Sequence, residues 1–80
     1  MKISKWYKEF GDERVLTFYH IVDLDENKGV SGMRYKYNSL IKKVVSKEEC
    51  TVDSKWWMEQ EIKNNIYTVP ENTVPFLIKF

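Results

Sequence analysis

Several stretches of the chain carry a readable hydrophobic period. Ile3, Trp6, Tyr7 and Phe10 stand at i, i+3, i+4 and i+7, which at 100° per residue gathers them within about 100° of one helical face. Lys2, Lys5, Lys8 and Glu9 fall opposite and Gly11 follows as a stop, so the spacing predicts a short amphipathic helix over 3–10. From Arg14 to Leu24 the period drops to two. Leu16, Phe18, His20, Val22 and Leu24 alternate with Val15, Thr17, Tyr19 and Ile21, which predicts a strand apolar on both faces. Asp25-Glu26-Asn27-Lys28-Gly29 supplies a hairpin loop, with Gly29 suited to a left-handed position, and the return strand runs over 30–37. Gly32, near the start of that strand, marks a bulge.

Asn38 or Ser39 can cap a helix over 39–48 with an apolar stripe of Leu40, Ile41, Val44 and Val45, although the β-branched residues in it keep a strand reading open. Asp53 or Ser54 opens a further helix over 54–66. Met58, Ile62 and Ile66 recur there every four residues as the buried stripe, and Glu59 with Lys63 forms a well-oriented i,i+4 pair. Pro70 ends the segment. Val74, Phe76, Ile78 and Phe80 alternate in the tail, predicting a strand over 73–80 that Pro75 confines to an edge or an unpaired start.

Composition turns these segments into a fold class. The chain has 80 residues, too few for two independent cores, so it reads as a single domain, 1–80. It has no Ala and four Leu, whereas Val, Ile, Thr and the aromatic residues make up thirty of the eighty. That set suits a sheet better than a helical bundle. The expected architecture is therefore α+β: a small antiparallel sheet, made of the hairpin 14–24/30–37 and the C-terminal strand 73–80, packed by two or three short helices at 3–10, 39–48 and 54–66.

Thirteen Lys and Arg against twelve Asp and Glu leave a net charge of +1, without the global field that nucleic-acid proteins often carry. Cys50 is the only cysteine, which excludes an internal disulfide and points to a reducing, cytoplasmic setting. No signal-peptide core or ~20-residue apolar run is present.

Little chemistry is on offer. Asp23, Asp25 and Asn27 imitate the opening of a calcium loop, but Lys28 stands where its turn needs Gly and Arg34 where it needs Glu. His20 and Cys50 are the sole imidazole and thiol, with no local signature of a nucleophilic pair and too few soft ligands for zinc. No phosphate loop, nucleotide fingerprint or hydrolase elbow occurs, so the expectation is a protein that is not an enzyme and uses no cofactor or metal.

What the sequence has in surplus is aromatic surface. Trp56 and Trp57 both project away from the Met58/Ile62/Ile66 stripe, as an exposed anchor unless one of them folds over the sheet edge as core, and the two-faced strand leaves either Tyr19 and Ile21 or Phe18 and Val22 to be covered by another helix of this chain, a second copy or a different protein. The leading expectation is a small non-enzymatic module that binds another protein, as an inhibitor or adaptor or as a homodimer. Its contact residues would be Trp56, Trp57, Tyr19 and Ile21, with Lys55 and Arg34 at the rim. Eleven Lys to two Arg suggests an A/T-rich genome, which extends the expectation to a viral inhibitor of a host protein. The alternative is single-stranded nucleic-acid binding through the Lys–aromatic clusters Lys5-Trp6-Tyr7-Lys8, Arg34-Tyr35-Lys36-Tyr37 and Lys55-Trp56-Trp57.

Overall fold

The computed structural model describes residues 1–77. Five strands form one antiparallel sheet: β1 (Lys2–Glu9), β2 (Val15–Asp25), β3 (Gly29–Asn38), β4 (Lys43–Val52) and β5 (Ile66–Val69). One α-helix, α1 (Ser54–Ile62), and a 3-10 turn at Glu71–Thr73 complete the described residues. The strand order is β4-β3-β2-β1-β5. The α+β arrangement with two or three helices is thus corrected to a mostly antiparallel sheet crossed by a single helix.

The hairpin of β2 and β3 forms where the alternation places it. Asp25 closes its loop by accepting from the N–H groups of Asn27 (2.8 Å) and Lys28 (3.1 Å), and Gly29 takes φ +95°. Each of the other segments departs from its expected form for a physical reason.

Residues 3–9 belong to β1 because Trp6 and Tyr7, adjacent in sequence, are both buried on opposite faces of the sheet. A strand buried on both sides has no polar alternation to display, so consecutive apolar positions mimic a helical stripe. β1 pairs with β2 on one side and β5 on the other, backbone partners that a lone eight-residue helix would lack. Phe10, read as the end of the stripe, is exposed.

Residues 39–48 become a turn and the first half of β4. The capping signal is real: Asn38 Oδ1 accepts from the N–H of Leu40 at 2.9 Å and of Ile41 at 3.2 Å. Lys42 then takes φ +56°, a left-handed step that reverses the chain instead of extending a helix.

The third expected helix is present but shorter. Asp53 caps it by accepting from the N–H groups of Lys55 (2.8 Å) and Trp56 (3.3 Å). Asn64 at φ +63° ends it, and the Asn65 carbonyl accepts from the Phe10 N–H at 2.7 Å, which delivers Ile66 into β5. Nine helical residues span about 13 Å. The helix therefore carries the chain across one sheet face from β4, at one edge, toward β5 at the other.

The strand expected over 73–80 is absent from its described part. Thr73 and Val74 donate their N–H groups to the carbonyls of Pro70 (3.0 Å) and Glu71 (3.1 Å), and the resulting turn lays Val74, Phe76 and Leu77 against the sheet face opposite α1. Pro75, without an N–H, suits this irregular path. Ile78 and Phe80, also assigned to that strand, lie outside the described residues.

Two aromatic layers result. Beneath α1 lie Tyr7, Tyr19, Ile21, Val30, Trp57 and Ile66; beneath the tail lie Trp6, Phe18, Tyr37 and Val74. A register shift in β2 between Ile21 and Asp23 makes Val22 an extra residue, so Leu24 joins the Tyr19 and Ile21 layer rather than the Phe18 one. Of the three covers offered for the two-faced strand, the chain supplies its own: α1 lies over Tyr19 and Ile21, and the tail over Phe18.

Candidate functional site

Trp57 is the centre of the helix-side layer, only 2% exposed. Its ring meets Tyr7 and Tyr19 edge-on, at centroid distances of 5.1 and 5.3 Å, and its Nε1–H donates to Glu61 Oε1 at 2.9 Å. The Tyr19 hydroxyl donates to Glu9 Oε2 at 3.0 Å; burial, then the Glu9 charge, pushes that phenol far above its ordinary range. Burial and, after it, Glu61 also raise Tyr7. Both phenols stay neutral through the physiological range and serve as apolar surface with one satisfied polar end.

The six residues expected to contact a partner are thereby divided. Tyr19, Ile21 and Trp57 are brought together, but as core, so their surface is taken up within the fold. Trp56 is 40% exposed on a flank of α1, with exposed Lys55 before it in the first turn. Arg34 lies farther along the same sheet face, donating to Glu48 Oε1 through Nε at 2.9 Å and through Nη2. This pair holds the Glu48 carboxyl below the usual range. The stripe chosen from the sequence is largely reversed: Met58 and Ile62 are 59% and 77% exposed.

His20 and Cys50 are on opposite faces. His20 stacks on Trp6 (4.5 Å between ring centres, 7° between planes) and shares a 2.9 Å hydrogen bond between Nε2 and Ser4 Oγ on the tail side. Cys50 packs against the helix-side layer, where burial raises its thiol. The two are not assembled into a nucleophilic pair. Since a raised pKa means less thiolate at a given pH, Cys50 is expected to react with a thiol-specific disulfide reagent at pH 8 more slowly than in the urea-unfolded chain. Equal rates would show that the side chain is open to solvent. Among the described residues no cluster of three His, Cys, Asp or Glu could hold a metal ion, and no helix is long and apolar enough to cross a membrane.

A groove of about 640 Å³ opens between α1 and the β2–β3 turn, floored by Leu24, Val30, Trp57 and Met58 with Asp25, Glu26 and Glu61 among its lining. Asp25 is already engaged by its two backbone donors, which hold its carboxyl low.

The surface that sequence reasoning missed lies at the other end of the sheet order. β4 is a ten-residue edge strand, with β3 as its only partner among the described residues. Most of its side chains are exposed, and Leu40, Ile41, Val44 and Val45 crowd its start, all exposed. The opposite edge, β5, has four residues and is closed by Pro70. The adjacent β-branched pair Val44-Val45 was the available signal: read as a strand, it leaves that end of the sheet apolar and uncovered. No protein-family model matches this chain, and no curated protein and no solved structure matches it.

Proposed function

We propose that the protein is a non-enzymatic protein-binding module that acts by occupying a partner's surface, as an inhibitor or adaptor does, with the β4 edge as its contact. One observation carries this reading: β4, a ten-residue strand with β3 as its only strand partner among the described residues, shares with the turn before it four exposed apolar side chains, Leu40, Ile41, Val44 and Val45. Strand addition uses those two elements together, main-chain hydrogen bonds for affinity and flanking side chains for selectivity. The single-strand nucleic-acid reading has less support, because Trp6, Tyr7, Tyr37 and Trp57 are buried and offer no ring for a base to stack on. An absence of tryptophan quenching on titration with oligonucleotides at low salt is the expected result there.

The test compares affinity capture from a cell extract by the wild-type chain, an Ile41→Glu/Val45→Glu variant and a Trp56→Ala variant, each confirmed as folded by circular dichroism. Specific capture is expected to fall at least about tenfold in the double variant, since two desolvated contacts worth over 1.4 kcal/mol together are lost. Trp56→Ala is expected to retain it. Undiminished capture by the double variant would sink the β4 assignment.

A further inference from the structure

We propose that the open edge of β4 pairs with the same edge of a second copy of this chain, antiparallel about a two-fold axis at Glu48, so that two five-stranded sheets join into one of ten. The inference rests on the edge reading above and gives that edge a partner and a register. In an antiparallel pair directly opposed side chains share a face, so a symmetric pair matches residues of one face with residues of the same face. Glu48 and Cys50 oppose Arg34 and Gly32 on the helix side, whereas Lys47 and Glu49 oppose Tyr35 and Met33 on the tail side.

Charge then selects the register. Centring the axis on Glu48 sets Lys47 of each copy opposite the partner's Glu49, two favourable cross-strand pairs. Centring it on Lys47 sets that lysine against itself, and centring it on Glu49 does the same with glutamate. The Glu48 axis does bring the two Glu48 side chains together, but each carboxylate is already held by its own Arg34. The row across the junction, Arg34, Glu48, Glu48, Arg34, sums to zero. Lys47, Glu48 and Glu49 are exposed, so among the described residues both faces of the strand are open at the proposed axis, whereas Cys50 beyond it packs against the helix-side layer.

A contact limited to one strand per copy is weak, with a Kd between about 1 µM and 1 mM. Sedimentation equilibrium of the full chain from about 10 µM to about 1 mM is expected to show a monomer–dimer equilibrium. Lys47→Glu and Glu49→Lys are each expected to weaken it at least about tenfold, because each sets like charges opposite one another at two places. The double variant K47E/E49K restores opposite charges in the same register and is expected to return to within about threefold of wild type. If a single variant fails to fold, hydrogen exchange on the wild type gives a second reading: amides of residues 46–50 are expected to become more protected as concentration rises. A chain monomeric throughout this range overturns the proposal, as does a double variant as weak as the singles. Should the chain be monomeric while Ile41→Glu/Val45→Glu still abolishes capture of another protein, the two-fold pairing falls and the edge reading stands. The reverse result retains the dimer and discards the foreign partner.

Discussion

Replacing Trp57 by alanine is expected to cost about 3–5 kcal/mol, the usual range for removing a buried indole. A domain of this length is stabilised by about 4–12 kcal/mol in all, so the variant is expected to sit near its unfolding threshold. Several losses coincide at this one position. The indole fills the space between α1 and the sheet, its edge-on contacts with Tyr7 and Tyr19 disappear, and Glu61 loses its donor. Nothing on the helix can replace it, because Trp57 is the only buried residue of α1. At about 4–8 °C per kcal/mol for a domain of this size, the melting temperature is expected to fall by at least about 12 °C. Trp56→Ala, next in sequence but 40% exposed, is expected to change it by less than about 5 °C. Thermal unfolding followed by circular dichroism separates the two, and similar melting temperatures would mean that the helix is not anchored by Trp57.

The contrast between these neighbours also shows why the hairpin was legible and the helix phase was not. β2 and β3 announce themselves by nine alternating positions from Val15 and by a loop whose Asp and Gly each have one use. The helix begins as readably, at Asp53, but nine residues give two and a half turns and few positions to fix a phase. Met58, Ile62 and Ile66 supplied a phase only while Ile66 was counted as helical. Once Asn64 turns the chain, Ile66 is a β5 residue and the remaining pair determines nothing. A better guide was Glu61, four residues after Trp57 and thus one turn away, where a carboxylate can accept from an indole folded under the helix.

Burial on two sides accounts for the misreading of 3–10 and for the twofold apolar character of β2. Trp6 with Tyr7 in β1 and Phe18 with Tyr19 in β2 send one ring into each layer. A sheet covered by a helix on one face and an irregular tail on the other erases the polar half of the strand pattern. The tail itself could not be read as a cover, since its function depends on Val74 and Phe76 reaching back over the aromatic side chains of β1, β2 and β3 rather than on any local period. Of the surface, exposed Trp56 was read from an offset that put Trp57 outside with it, so the offset did not separate the two. The β4 edge was not, because the same Asn38 side chain that caps a helix here caps a reversing turn.

Gly32→Ala is expected to destabilise the fold by about 3 kcal/mol, although it adds one methyl group to a strand. A Cβ at this position would overlap the His20 carbonyl oxygen and approach the Ile21 Cα at 2.9 Å. Those are backbone atoms of the neighbouring strand, so no rotamer change relieves the contact and β2 has to move away from β3. The move falls where β2 carries its extra residue, Val22, between Ile21 paired with Gly32 and Asp23 paired with Ser31. This bulge brings Leu24 onto the helix side with Ile21 and Val30, so opening it loosens the layer that Trp57 closes. Gly11→Ala is the control: nothing lies within 4 Å of a Cβ there, and losing the conformational freedom of glycine is expected to leave stability unchanged or raise it by up to about 1 kcal/mol. Urea denaturation midpoints measure both. With an m-value of about 1 kcal/mol/M, a typical figure for a small domain, Gly32→Ala is expected to shift the midpoint down by about 3 M. A midpoint within about 0.5 M of wild type would show that β2 and β3 tolerate the added methyl and that the bulge does not hold the two strands in this close approach.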